Sequence, residues 1–272
     1  MKYVLSAELE NCPGLESEGI AAFRESLTAD LTEMGEDVEW VAADYLRNGL
    51  KELRDQVPLP VITLDGSYYS PREEDGFLGI SRAVNAEDLT DAGYDARLGC
   101  SPLTDQLDRL GERYQGRDVA LLDDVLFSGE MAAWVCGELT RRGVNVPLLL
   151  CGIAIGEGQE RLAARGIETR SVKYYSEVTD QLCERDFTYL PGAGRKVKGS
   201  EQNVSYFDSQ IGRPGKWASI KDEASFCVRS IRRNLELLPG DMSLPNFLGY
   251  AAGTISEVLP AILAERSQAW KI

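Results

Sequence analysis

The chain is predicted to be α/β, with a parallel-sheet core, helices before it and a helical lobe or hood after it. Three observations lead there. Short apolar runs bounded by charge or turn residues recur at 61–64, 119–122 and 146–155, as expected of strands covered on both faces. Segments of helical spacing alternate with these runs, the βαβ order of a parallel sheet. With 272 residues, 43% hydrophobic and 27% charged, the chain is long and apolar enough for a full core.

Taken in order, residues 17–34 place Ile20, Phe23, Leu27 and Leu31 on one helical face, and residues 42–56 place Tyr45, Leu46, Leu50 and Leu53 on another. Pro58-Leu59-Pro60 breaks the second helix, and Val61, Ile62, Thr63 and Leu64 read as a buried strand followed by Asp65-Gly66-Ser67. Residues 68–99 are polar and rich in Gly, Asp and Arg. A helix over 101–114 follows, with Pro102 suited to its first turn and Leu103, Leu107 and Leu110 on one stripe. Val119 to Leu122 form the next buried strand, ending in Asp123 and Asp124, and Glu130 to Arg142 a partly buried helix that Gly143 ends. A strand over 146–155, a helix of one to two turns from Gly156 and a strand over 167–175 continue the alternation. GIAIGEG lacks the glycine spacing and context of a dinucleotide fingerprint. The expected division is 1–57, an N-terminal strand and helices; 58–184, the α/β core; and 185–272, a C-terminal hood and helical lobe with helices over 224–238 and 245–270.

The run DVALLDDVLFSGEM, residues 118–131, carries the candidate chemistry. Open α/β sheets place ligands at the carboxyl ends of their strands, where Asp123 and Asp124 fall. The start of the next helix presents unpaired amides and partial positive charge, suited to a phosphate; Gly129 allows close backbone approach and Ser128 adds a hydroxyl. Two ionised carboxylates suit a vicinal diol. One end takes an anion and the other takes hydroxyls, as a ribose 5-phosphate requires.

These residues resemble the phosphoribosyl diphosphate (PRPP) signature of type I phosphoribosyltransferases: four hydrophobic residues, two acids, a short loop with a hydroxyl residue and a glycine, then a helix. The resemblance implies a type I phosphoribosyltransferase-like core and an unassigned branch of that family. It makes Asp123 and Asp124 the catalytic and ribose-binding pair, and Leu126, Phe127, Ser128, Gly129, Glu130 and Met131 the phosphate cradle. It places Asp65, Gly66 and Ser67 at the diphosphate, with Arg72, Arg82 and Arg97 as further diphosphate ligands from a flexible lid over 68–99. Magnesium is implied through PRPP, with no direct protein ligand. The chain departs from the pattern at Glu130 and Met131, where relatives carry small or hydroxyl residues. It departs again at Phe127, where several carry Asp or Thr, so no proton transfer is available from that position.

Two glycine-rich basic stretches, 191–196 and 212–217, read either as a substrate-facing hood or as surface turns. Lys173, Arg195, Lys196, Arg213, Lys216 and Trp217 are the candidate contacts for a nitrogenous acceptor of unknown identity. The implied reaction is phosphoribosyl transfer to or from that nitrogen with diphosphate exchange. The alternatives are a non-catalytic PRPP or nucleotide sensor, and a nucleotide phosphorylase or hydrolase using the same site.

A net charge of -15 argues against nucleic-acid or anionic-membrane surfaces. Histidine is absent, which excludes Ser-His and Cys-His mechanisms. The six cysteines form no Cys-x-x-Cys pair, and neither a spanning run nor a signal-peptide pattern is present, so a cytoplasmic protein is expected, with a homodimer allowed for.

Overall fold

The structure is a computed structural model describing residues 1–208 and 217–270. The chain is α/β and forms two compact units: Met1–Val41, Ala83–Gly93 and Thr179–Ile272 in the first, Ala42–Arg82 and Tyr94–Val178 in the second. These units cut across the three segments drawn from sequence. The reason is strand pairing, which joins the first residues of the chain to residues 180–183.

In the first unit, β1 (Lys2–Ser6) lies between β2 (Asp37–Val41) and β10 (Asp180–Cys183), all parallel. The helix α1 (Ser17–Glu33) connects β1 to β2 and buries the expected stripe Ile20, Phe23, Leu27 and Leu31. It packs on α6 (Glu223–Leu237), which packs on α7 (Ile255–Trp270). Residues 245–254, expected as helix, precede α7 as turns and an isolated bridge between Ser243 and Thr254. The core here is aromatic. Tyr189 meets Phe207, Phe247 and Tyr250 edge to face, and its hydroxyl lies 2.6 Å from that of Tyr250, which donates to the buried Asp208 at 2.7 Å. Arg266 closes this network on Asp208 at 3.1 Å, so the carboxylate has a buried cation beside it.

In the second unit, five parallel strands run in the order β4 (Gly76–Phe77), β3 (Val61–Thr63), β7 (Asp118–Leu126), β8 (Asn145–Ile155), β9 (Glu168–Tyr175). The helices α2 (Ala43–Asp55), α4 (Glu130–Arg141) and α5 (Gly156–Ala163) pack on the sheet, and α3 (Leu103–Tyr114) packs on α4. Cover on both faces explains why β8 is buried from Leu148 to Ile155. Pro102 is the N-cap of α3 rather than a first-turn residue, and Tyr45 lies half exposed on α2 instead of joining Leu46 and Leu50 inside.

The flexible lid expected over 68–99 is replaced by β4, β5 (Ile80–Val84) and β6 (Asp91–Ala96). A buried carboxylate fastens the start of this stretch. Asp75 accepts from Arg54 at 2.8 Å, the Tyr69 hydroxyl at 2.7 Å and the amides of Val61 and Arg72. Burial alone would raise this carboxyl, but these donors hold it below its ordinary range. The strand β5 enters a small sheet of order β12 (Asn203–Val204), β11 (Arg195–Val197), β5, β6.

Candidate functional site

In the five-stranded sheet the chain places β4 outside β3 and then returns to the other side of β3 with β7. The strand order reverses between β3 and β7, and the crevice beyond their carboxyl ends is where such sheets bind ligands. Asp65 stands just past β3. Asp123 and Asp124 lie within β7, which runs two residues beyond them to Leu126, because Val125 and Leu126 pair with Ile153 and Ala154 of β8.

The crevice therefore gathers three carboxyl groups, two of them buried. Asp65 is 2% exposed and accepts the amides of Ser67 and Tyr68 at 2.8 Å each, closing its own loop. Burial and the charge of Asp124 push it up to about 6, against those amides and the Arg97 guanidinium. Asp123 is 3% exposed; burial first, then Asp124 and Asp65, raise it well above the carboxylate range. Two freely ionised acids were expected from sequence, but Asp123 is held toward its protonated form. Low dielectric and like charge make full ionisation of the group costly. Asp65, placed at the diphosphate from sequence, also joins the acids as their third member.

Arg97 is the candidate arginine that the fold brings to this cluster: its charge acts on both Asp65 and Asp123, and its Nε donates to the Ile80 carbonyl at 2.8 Å. Arg72 is paired with Asp55 and exposed, the arrangement of a surface arginine. Arg82 lies exposed on β5.

The loop after β7 has a shape that only its glycines permit. Gly129 is the N-cap of α4 with φ +74°, in the left-handed region, and a Cβ there would stand 3.0 Å from the Gly158 carbonyl. Gly158, at the start of α5, would bring a Cβ to 2.3 Å from the Phe127 carbonyl, so loop and helix meet backbone to backbone. Gly152 in β8 plays the same part under the Asp124 carbonyl, 2.7 Å from where its Cβ would be. Neither Gly152 nor Gly158 was singled out from sequence as a site residue. A glycine within a buried strand run, and the glycines of the discounted GIAIGEG run, were the available signals.

Ser128 Oγ accepts from the Glu130 amide at 3.4 Å, and the first-turn amides of α4 carry the positive end of its dipole. Met131 is partly buried and packs against the core. Glu130 turns its exposed carboxylate to Arg161, 3.7 Å away. That pair draws the one acidic departure toward an open groove of about 310 Å³ that Trp134, Arg141 and Arg165 also line.

The remaining candidates have other neighbours. Lys173 sits at the carboxyl end of β9, its ammonium 5.3 Å from the Tyr175 ring centre. Arg195, Lys196 and Trp217 belong to the first unit. Lys196 is buried and bonded to the Ser200 carbonyl, with Glu201 at 3.7 Å, which gives it a structural role. Arg213 and Lys216 lie outside the described residues.

No protein-family model matches the chain, and no curated protein does. Solved structures do resemble it. Orotate phosphoribosyltransferase from Aeropyrum pernix is 19% identical over 48% of this chain and 70% of its own, with a TM-score of 0.31. Adenine phosphoribosyltransferase from Rhodothermus marinus DSM 4252 is 17% identical over 48% of this chain and 77% of its own, at 0.33. The Mycobacterium tuberculosis H37Rv orotate enzyme in complex with PRPP is 15% identical over 47% and 70%, at 0.30. Each likeness is of low identity and confined to about half of this chain.

All six cysteines are free thiols, three of them buried. Among the described residues no helix is long and apolar enough to cross a membrane, and no group of three or more acidic or cysteine side chains is arranged to hold a metal ion.

Proposed function

We propose that this protein binds PRPP, or a ribose 5-phosphate nucleotide, in the crevice between β3 and β7 and transfers the phosphoribosyl group to or from a nitrogen acceptor with exchange of diphosphate. One observation carries the reading: in the switch-point crevice of a parallel sheet, an acid pair leads directly into a left-handed glycine that caps a helix. In this reading the first-turn amides of α4 and Ser128 take the 5-phosphate. Asp123 and Asp124 take the ribose hydroxyls, and the charge of Asp124 lies near the cationic character that develops at the anomeric carbon. The protonated form of Asp123 would donate one hydrogen bond rather than accept two. Arg97 is the cation for the diphosphate side.

Magnesium would be held through the oxygens of PRPP rather than by direct protein ligands, with the charge of Asp124 near it. Such an ion would neutralise the leaving group.

Calorimetric titration of magnesium PRPP tests the binding, and diphosphate release with a panel of purine, pyrimidine and amine acceptors tests the transfer. The expectation is saturable binding that weakens at least about tenfold in Asp124→Asn, the loss of one charge-assisted hydrogen bond. Absence of PRPP binding would sink the proposal. Phe127 leaves the loop without a proton-transfer group, and this favours a second reading as a PRPP sensor; binding without diphosphate release from any acceptor would select it.

A further inference from the structure

The first unit holds a second cluster of ionisable groups that phosphoribosyl transfer does not use. In its three-stranded sheet, β2 lies on one side of β1 and β10 on the other, so the crevice beyond β1 and β10 is again a switch point. The turn after each of these strands buries a carboxylate, Glu8 and Glu184. Glu184 is satisfied: it accepts the amides of Glu8 and Leu9 at 2.8 and 3.1 Å and both Nε and a terminal nitrogen of Arg24. That pair holds the turns together.

The groups beside it are not matched in this way. Glu8 takes the Cys183 thiol at 2.7 Å and has the Arg185 guanidinium at 3.9 Å. Asp186 accepts the Gly194 amide at 3.3 Å, and the charges of Arg185 and Arg195 both act on it. Arg195 is nine-tenths buried, with its guanidinium carbon 5.0 Å from the Trp217 ring centre and 5.6 Å from that of Tyr206. Its Nε is buried without an acceptor among the described residues; the Nε of Arg185 is likewise, although a terminal nitrogen of Arg185 donates to the Pro191 carbonyl.

A buried guanidinium that makes no hydrogen bond forfeits most of what its five donors offer, and ring contacts recover only part of that. The neighbouring acid does not cancel the two cations. Burial and the charge of Glu8 push Asp186 up to about 7, which weakens its hold on the two cations. Among the described residues the Arg195 guanidinium, held by two aromatic rings, is given no oxyanion of its own, and Arg185 beside it has only Glu8 at 3.9 Å.

We propose that the carboxyl ends of β1 and β10 form a second ligand site, at which Arg195 and Arg185 take the carboxylate or phosphate group of a small molecule while Trp217 and Tyr206 hold the Arg195 guanidinium in place. Both anions offer the planar pair of oxygens that a guanidinium fork matches.

The chain has four tryptophans, so protein labelled with 5-fluorotryptophan gives a resolvable set of fluorine resonances, with that of Trp217 assigned through Trp217→Phe. Inorganic phosphate and glutarate are titrated separately against sodium chloride of equal ionic strength. The expected result is a saturable shift of the Trp217 resonance with at least one anion, its midpoint raised about tenfold or more in Arg195→Gln. The anion with the lower midpoint identifies the phosphate or the carboxylate as the group recognised. Ligand in the other unit would move the resonance independently of Arg195. The proposal is overturned if neither anion moves the resonance beyond the chloride control, or if the shift is the same in Arg195→Gln. Should circular dichroism show that variant unfolded, Arg185→Gln, whose side chain is one-third exposed, decides: a weakened response supports the site and an unchanged one overturns it.

Discussion

In the five-stranded sheet the switch-point crevice gathers Asp65, Asp123 and Asp124 against Arg97, and the neighbouring helix start supplies amides for an anion. In the three-stranded sheet the corresponding crevice gathers Glu8 and Asp186 against Arg185 and Arg195, and only short 3-10 turns, Leu9–Asn11 and Glu184–Phe187, follow its strands closely, the α-helix after β1 beginning at Ser17. On the proposed reading the first arrangement separates its labour: side chains for hydroxyls, main chain for phosphate. In the second the Glu8 and Leu9 amides are already taken by Glu184, so on the proposed reading an anion would be left to the side chains, with Arg195 desolvated and fixed by aromatic rings. On the two proposals the same strand-end geometry would lead to two chemistries, depending on how closely an α-helix follows the strand.

The sharpest way to break this contrast is to spoil the main-chain cradle. Gly158→Ala would drive a Cβ into the Phe127 carbonyl, and a loss of about 3 kcal/mol or more in urea unfolding of the second unit is expected, with PRPP binding gone. An unchanged midpoint would show that the loop does not lean on α5 as described.

Asp123→Asn comes next and runs the other way. Asparagine keeps the acceptor for the Asp124 amide, 3.1 Å from Oδ1, and removes a carboxyl whose ionisation the site resists. A melting temperature raised by a few degrees at pH 8 is expected, about 1 kcal/mol, together with weakened PRPP binding. A stabilised but impaired variant is the signature of a strained functional group; a destabilised one would make Asp123 a structural acid.

A smaller effect separates the two units by pH. A carboxyl raised on folding contributes stability that is complete below its unfolded value, near 4, and is lost as pH rises through the folded value. Stability should therefore fall through about 6 on account of Asp65, beside Asp123, Asp124 and Arg97, and through about 7 on account of Asp186, beside Glu8, Arg185 and Arg195. Urea midpoints measured from pH 5 to 8 should lose the lower step in Asp65→Asn and the upper step in Asp186→Asn. Smallest of all is Glu130→Gln. Breaking an exposed pair with Arg161 should change stability by no more than about 0.5 kcal/mol and tighten PRPP binding slightly at low salt; strongly weakened binding would place Glu130 inside the cradle.

Much of the second unit was legible in the sequence because its signals are local. The apolar run at Val119 to Leu122 could only be a covered strand, and Ser128-Gly129 before a helical stripe could only be its turn. The third acid was harder to see, because Asp65 reaches Asp123 and Asp124 through the pairing of β3 with β7, whose partners are 59 residues apart in number, and nothing local encodes that neighbour. The lid failed for a related reason. Polar composition reads as loop, yet Asp75 gathers donors from Arg54, Val61 and Tyr69 and makes a short strand pair worthwhile. The pairing of β1 with β10 spans most of the chain, and so the acid and arginine cluster of the first unit was visible only as isolated charges and a weighed hood.

Asp75 has one more bearing on the molecule. The last turn of α2, the first residue of β3 and the segment entering β4 all end on that single carboxylate, so none of the three can let go without stranding the donors of the other two. Helix end, strand start and sheet edge therefore form one cooperative unit in native-state fluctuations, opening together in hydrogen exchange rather than fraying one by one.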